Sequence, residues 1–129
     1  MLTNPLPRVL CVDDNEDARE MLSELLKFSL LETRAVGTAA QALSLIQTEH
    51  FDLYLLDAWL PDLDGVELCR RLRALDAHTP VLFYSGAAYE DDKKRAIEAG
   101  ANAYVNKPHI DELLGSVTQL VPTAKWVAA

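Results

Sequence analysis

DAWLPDLDG, residues 57–65, follows a short and mostly apolar run, Phe51 to Leu56, in this chain of 129 residues. Such a run is typical of a parallel strand that is buried on both faces. A proline and a glycine within the stretch predict a turn, and Asp64 with Glu67 three residues later predicts the capped start of a helix. Ligands of open α/β sheets bind beyond the carboxyl ends of the strands, so Asp57 lies where chemistry is expected. Taken alone, Asp57 also fits a strand-ending residue that only begins a loop.

The alternation of strand and helix recurs along the rest of the chain. Four further runs predict strands: Arg8 to Val12, Glu32 to Val36 (expected at an edge), Val81 to Tyr84 and Ala103 to Asn106. Segments with helical periodicity separate them. In the first helix the predicted inward face holds Ala18, Met21, Leu22, Leu25 and Leu26. Helix-length crossovers between short strands imply a parallel sheet with helices on both faces, and we predict a doubly wound fold.

The bulk composition limits the possible functions. Hydrophobic residues make up 50% and charged residues 25% of the chain, which is ordinary for a globular protein. The formal net charge of -8 disfavours nucleic acid and anionic membranes as partners, because both are polyanions. Cys11 and Cys69 lack metal-ligand spacing and lie in apolar patterns, so we expect buried thiols in a reducing, cytoplasmic setting. We expect neither a membrane span nor a signal peptide.

Polar residues stand at the ends of four predicted strands. They are Asp13 and Asp14 on the first, Asp57 on the third, Ser85 on the fourth and Lys107 on the fifth. If these strands are parallel, the residues share one edge of the sheet. Three crowded carboxylates repel one another, so the site needs a cation or must hold protons. Oxygen ligands with room for water favour Mg²⁺ over a transition metal. Each residue alone also fits a helix-capping role.

From about Arg8 to Val121 the chain resembles the receiver domains of two-component response regulators. The matching signatures are Asp13-Asp14, the pattern Asp57-x-x-x-Pro61-x-x-Asp64-Gly65, the hydroxyl of Ser85, and Lys107-Pro108. Each signature is weak alone, but four in order at successive strand ends are specific. The resemblance implies a single receiver domain over residues 1–129, with its core at about 8–121 and a short tail at 122–129. It also implies a flavodoxin-like parallel sheet of five strands, in the order 2-1-3-4-5, flanked by five helices.

The resemblance further implies the chemistry of the site. Asp57 would be the phosphoacceptor, which attacks the phosphohistidine of a partner histidine kinase or phosphotransfer protein. Asp14 and Asp57 would ligate Mg²⁺ directly, Asp13 mainly through water, and Trp59 through its backbone carbonyl. The metal would neutralise the phosphoryl oxygens, so that two anions can approach each other.

The remaining implied roles concern charge and signalling. Lys107 would place a positive charge at the phosphoryl group and Ser85 would donate a hydroxyl hydrogen. In the family the bond between this lysine and Pro108 is cis. Ser85 and an aromatic residue of the fifth strand, here Tyr104, would form the switch, and the output surface would be the fourth helix, fifth strand and fifth helix. A Tyr104 that only packs at the surface is the alternative.

Two positions beside the acceptor vary within the family and are expected to modulate the site. Trp59, two residues beyond the acceptor, is bulky and would shield the acyl phosphate from water. Ala87, two residues beyond Ser85, offers no polar group to orient water. A rival hypothesis makes Trp59 an exposed anchor for a partner protein.

Other functions fit the sequence less well. A phosphatase with an aspartate nucleophile needs Asp-x-Asp after its first strand, whereas the acids here are adjacent. A flavodoxin-like cofactor carrier needs a Ser-, Thr- and Gly-rich first turn, whereas residues 13–17 are mostly acidic. We therefore expect a signalling domain that is not an enzyme on external substrates, in the form of a single-domain response regulator. The alternatives are a receiver module of a hybrid histidine kinase and a degenerate receiver that only binds protein.

Overall fold

The computed structural model describes residues 6–86 and 90–121. The strands are β1 Arg8–Val12, β2 Glu32–Val36, β3 Leu53–Leu56, β4 Val81–Ser85 and β5 Ala103–Asn106. The helices are α1 Glu16–Phe28, α2 Ala39–Leu45, α3 Gly65–Leu75, α4 Glu90–Glu98 and α5 Ile110–Leu120. Every paired strand is parallel to its neighbour, in the order β2-β1-β3-β4-β5. The predicted doubly wound, flavodoxin-like fold is confirmed, with β2 at an edge.

Helices cover both faces of the sheet, so two of its three inner strands, β3 and β4, are buried along their whole length. One core cluster joins the sheet to α2, α3 and α4, and the other joins it to α1 and α5. Cys11 and Cys69 are buried free thiols, one in each cluster. None of the helices within the described ranges has the length and apolar character that crossing a membrane requires.

Two details differ from the sequence prediction. The β3 ladder begins at Leu53 instead of Phe51, because the backbone N–H of Arg8 donates to the Asp52 side chain (2.8 Å) and not to a backbone carbonyl. Met21 in α1 is 43% exposed, while Leu22 and Leu26 are buried. The helix therefore buries a narrower stripe than its apolar residues suggested.

Arg73 forms hydrogen bonds that join two segments at the end of the domain opposite the carboxyl ends of the strands. From the last turn of α3, its Nε donates to the carbonyl of Gly100 (2.9 Å) and its Nη2 to Oδ1 of Asn102 (2.9 Å). Gly100 ends α4 with φ = 112°, a conformation that glycine adopts without strain. The C-terminal ends of α3 and α4 are therefore tied together through one guanidinium.

Candidate functional site

Four strands deliver polar side chains to one edge of the sheet. Asp13 follows β1, Asp57 follows β3, Ser85 ends β4, and Lys107 follows β5. Because these strands are parallel, their carboxyl ends lie side by side, and the structure brings the four residues together. Asp13, Asp57 and Ser85 are buried, at 2%, 7% and 0% exposure.

Both carboxylate oxygens of Asp57 have partners. Ser85 Oγ donates to Oδ1 at 2.8 Å, and the backbone N–H of Trp59 donates to the same oxygen at 3.1 Å. Lys107 Nζ lies 3.3 Å from Oδ2. One hydroxyl, one amide and one ammonium group therefore orient the Asp57 carboxylate.

Lys107 bridges two buried acids. Its Nζ lies 2.6 Å from Asp13 Oδ2 as well as 3.3 Å from Asp57 Oδ2. Burial alone would lower the pKa of Lys107, but its hydrogen bonds to the two carboxylates and their charges outweigh burial and raise the pKa. The ammonium group therefore stays charged at neutral pH.

The acidic residues form a donor set that fits a hard divalent cation. One carboxylate oxygen each from Asp13, Asp14 and Asp57 lies within 4.8 Å of the others. Asp14 is exposed, which leaves an open side for water and for a ligand. Three carboxylates face one ammonium group, so the cluster carries excess negative charge, and its ligands are all oxygen. These properties match the preference of Mg²⁺ for carboxylate and water ligands.

Residues that the sequence analysis did not single out hold Asp13 in place. Its carboxylate accepts from the N–H of Asn15 (3.0 Å), and its carbonyl accepts from Nη1 of Arg19 (2.8 Å). Asn15 also caps α1 by accepting from the N–H of Ala18 (2.8 Å). An Asn just before a helical pattern is a recognised capping signal that could have been used. For Arg19 no such signal exists, because its partner is a backbone carbonyl.

The turn after Asp57 is closed tightly. The N–H of Gly65 donates to the carbonyl of Ala58 (3.0 Å), and a Cβ at Gly65 would lie 2.2 Å from the carbonyl oxygen of Asp57. Asp64 caps α3 through the N–H of Val66 (2.7 Å), as predicted. The predicted capping box is incomplete, since the Glu67 carboxylate lies 3.8 Å from Arg70 instead.

Tyr104 lies directly beside the site. Its ring is half-buried and stacks on Phe83, with 5.6 Å between centroids and 11° between planes. Burial raises the pKa of Tyr104, and a hydrogen bond with Ser85 acts in the opposite direction. The two residues predicted to form a switch are therefore in direct contact.

Three other predicted features stand as follows. The bond between Lys107 and Pro108 is cis. Trp59, two residues beyond Asp57, is 66% exposed, which suits both of the roles considered for it. Ala87 lies outside the described residues, as does the tail at 122–129.

Comparison with known proteins gives a consistent family assignment. Residues 9–118 match the response regulator receiver domain family. The chain is 31% identical over 119 residues to the response regulator MprA of Mycobacterium leprae, covering 92% of this chain and 52% of that protein. It is 37% identical over 101 residues to the DNA-binding response regulator MtrA of Mycolicibacterium smegmatis, covering 78% of this chain and 44% of that protein. The chain thus spans about half the length of these relatives.

Solved structures agree with this assignment. A CheY-like response regulator receiver domain protein from Methanospirillum hungatei superposes with a TM-score of 0.84 at 31% identity, covering 88% of this chain and 92% of that one. The non-phosphorylated HemR receiver domain from Leptospira biflexa gives 0.82 at 31% identity, covering 88% and 93%. With the family match over residues 9–118 and the same strand order, this chain belongs to the response regulator receiver domains of two-component systems.

Proposed function

We propose that this domain is a phosphorylation-dependent switch in which Asp57 accepts a phosphoryl group from a phosphohistidine. The partner would be a sensor histidine kinase or a histidine phosphotransfer protein. The observation that carries the proposal is the placement of Asp57 at the end of β3, with Ser85 on one oxygen and Lys107 on the other. Phosphoryl transfer needs positioning and charge neutralisation more than covalent help from the protein, and this site supplies both.

The chain's own residues divide the work in the proposed reaction. A carboxylate oxygen of Asp57 forms the new bond to phosphorus as the bond to the histidine nitrogen breaks. Lys107 would neutralise part of the charge on the transferred group, and Asp13 keeps the ammonium in place at 2.6 Å. Mg²⁺ held by Asp13, Asp14, Asp57 and the carbonyl of Trp59 would neutralise more of that charge.

The switch follows from the same contacts. In the unphosphorylated domain the Ser85 hydroxyl donates to Asp57 Oδ1 at 2.8 Å. A phosphoryl group on Asp57 would offer that hydroxyl a stronger, charged acceptor. Ser85 would then turn toward the phosphoryl group and Tyr104 would take a new position. The output would pass through the face formed by α4, β5 and α5 to a downstream protein.

Two expectations about partners and activity belong to the proposal. We expect no catalysis on external substrates beyond the domain's own phosphorylation and dephosphorylation. We expect no binding of this acidic domain to nucleic acid or membranes. The relative named as DNA-binding matches over only 44% of its length, so its activity does not transfer to this chain.

The test is intact-mass spectrometry after incubation with Mg²⁺ and acetyl phosphate. We expect one phosphoryl adduct on the wild type, which is lost on standing and absent from Asp57→Asn. Glu98→Gln, a change at an exposed carboxylate at the end of α4, should be phosphorylated like the wild type. If a purified phosphohistidine donor and acetyl phosphate both give no adduct, and Mg²⁺ does not bind, the binding-only alternative replaces the switch.

A further inference from the structure

Asp62 joins the loop after the acceptor to a different element of the fold. Its Oδ1 accepts from the backbone N–H of Ala39 and its Oδ2 from that of Ala40, both at 2.9 Å. These two N–H groups belong to the first turn of α2. Asp62 is three residues from Trp59 and five from Asp57, so the contact lies in the loop that directly follows Asp57.

The first turn of α2 suits a carboxylate. The first N–H groups of a helix have no partners within the helix, and negative charge is favourable there. Thr38 satisfies one of them by accepting from Gln41 (3.1 Å), and Asp62 satisfies two more. The hydrogen bonds from Ala39 and Ala40 lower the pKa of Asp62, so the carboxylate is ionised at neutral pH.

The partner of Asp62 is itself anchored. Ala39 and Ala42 of α2 are buried against the sheet, at 1% and 0% exposure. Asp62 is exposed, and the hydrogen bonds that the structure shows for its carboxylate are these two. Two charge-assisted hydrogen bonds from one carboxylate to the start of a helix restrict the position of a loop more than packing alone would.

A backbone hydrogen bond also closes the loop of residues 58–65. The N–H of Gly65 donates to the carbonyl of Ala58 at 3.0 Å. Trp59 lies between this tie and the Asp62 contact. Its N–H donates to Asp57 Oδ1 at 3.1 Å, and its carbonyl is the proposed backbone ligand of the metal. Leu60 and Leu63 of the same loop also pack against the core. The orientation of the Trp59 peptide therefore depends on this packing together with the two hydrogen-bonded contacts.

We propose that Asp62 is a positioning residue for the phosphorylation site, because it fastens the segment that carries Trp59 to the N-terminus of α2. This inference rests on the proposed function of Asp57. Asp62 is not among the residues proposed to contact the phosphoryl group or the metal. It would instead hold the Trp59 peptide, whose N–H donates to Asp57 Oδ1 and whose carbonyl is the proposed metal ligand.

A purely structural role for Asp62 predicts different behaviour. If Asp62 only stabilised α2, any loss of an N-terminal hydrogen bond from that helix would have the same effect. Thr38→Ala provides this comparison, because it removes the bond to Gln41 and leaves the loop untouched. N-cap changes of this kind cost about 1 kcal/mol of stability, which urea unfolding detects.

The experiment compares Asp62→Ala, Asp62→Asn and Thr38→Ala in the full chain. A Trp126→Phe background leaves Trp59 as the sole tryptophan of the two in the sequence, so its fluorescence reports Mg²⁺ titration. Amide hydrogen exchange at Trp59, measured without metal, reports the order of the loop. We expect Asp62→Ala to raise the Mg²⁺ dissociation constant roughly tenfold, the smaller effect typical of groups that orient metal ligands. Exchange at the Trp59 amide should also accelerate.

The other two variants decide the interpretation. Thr38→Ala should lower stability and leave Mg²⁺ affinity and Trp59 exchange at wild-type values. Asp62→Asn keeps one acceptor oxygen and should fall between Asp62→Ala and the wild type. Equal effects of Asp62→Ala and Thr38→Ala, or no effect of Asp62→Ala on either readout, would overturn the inference. These readouts need no phosphorylation, so a wild type that fails to accept a phosphoryl group refutes the proposed function separately.

Discussion

Trp59 is the residue at which two different functions remain open. Its backbone N–H holds Asp57 Oδ1, while 66% of the residue is exposed beside the acceptor. An indole there can cover an acyl phosphate or contact a partner protein. The two roles act on different rates, because shielding affects hydrolysis and partner contact affects transfer.

Trp59→Asn separates these roles. If the indole shields the phosphoryl group, we expect dephosphorylation to accelerate by about tenfold, equivalent to ~1.4 kcal/mol in the barrier. The measurement is loss of the phosphoryl adduct after removal of acetyl phosphate. Trp59→Phe keeps an aromatic ring and should decay at nearly the wild-type rate. An unchanged hydrolysis rate combined with slower transfer from a phosphohistidine partner would identify Trp59 as a docking residue.

The sequence predicted the positions of those site residues that stand at the ends of strands. Asp13, Asp57, Ser85 and Lys107 each follow or end an apolar run, so the parallel sheet alone brings them together. Asp62 differs, because its partners are backbone groups of α2, 22 and 23 positions away. Nothing in the side-chain pattern marks such a contact. It exists only once α2 is packed on the sheet.

Among the glycines that the structure describes, Gly65, in the turn between β3 and α3, has the least room for a side chain. A methyl group at Gly65 would lie 2.2 Å from the Asp57 carbonyl oxygen and 2.8 Å from the Ala58 Cα. Both neighbours are backbone atoms, which cannot rotate away as a side chain would. The end of β3 and the start of α3 can therefore approach this closely only because residue 65 has no side chain.

Gly65→Ala should therefore damage stability and the site together. We expect a loss of about 1–3 kcal/mol in the free energy of unfolding, as for other overpacked positions, and slower phosphorylation of Asp57. Urea unfolding and intact-mass time courses measure the two effects. Gly115→Ala in α5 is the control: nothing lies within 4 Å of the added methyl group, so we expect about 0.4–1 kcal/mol of stabilisation. Wild-type behaviour of Gly65→Ala would contradict the close approach.

Element boundaries were predictable to within a residue or two, and their errors have local causes. Apolar periodicity located all five strands, but it could not show that the Asp52 side chain takes the place of a ladder partner for Arg8. The capping box at Asp64 is incomplete at Glu67, whose carboxylate lies 3.8 Å from Arg70. Side-chain contacts of this kind depend on geometry that the sequence pattern does not contain.

Across the whole molecule, Asp76 connects three elements at the end away from the site. It ends α3 and accepts from the hydroxyl of Tyr54 in β3 (2.9 Å) and from both the hydroxyl and the N–H of Thr79 before β4. Burial alone would raise the pKa of Asp76, but these hydrogen bonds, with one from the N–H of His78, hold it well below its ordinary value. The ionised carboxylate is therefore part of the folded state.

The depressed pKa predicts how stability depends on pH. A carboxyl group that is more acidic when folded stabilises the protein above its unfolded pKa of about 3.9, and this contribution is lost as pH falls toward the folded pKa. Asp76→Asn should thus be less stable than the wild type at pH 7, with a difference that shrinks below about pH 4. Urea unfolding across pH measures this, with Glu98→Gln as a control for net charge. A difference that is constant with pH would contradict the assignment.

The Arg73 contact has a mechanical consequence for the proposed output. It holds the C-terminal end of α4 at Gly100, so we expect any tilt of this helix to pivot about that end, which lies away from Asp57. The nine residues of α4 give this helix a length of about 13 Å. A tilt of roughly 5° about its C-terminal end would move its N-terminal end, at Glu90, by about 1 Å. We therefore expect phosphorylation to displace the N-terminal end of α4 more than its C-terminal end.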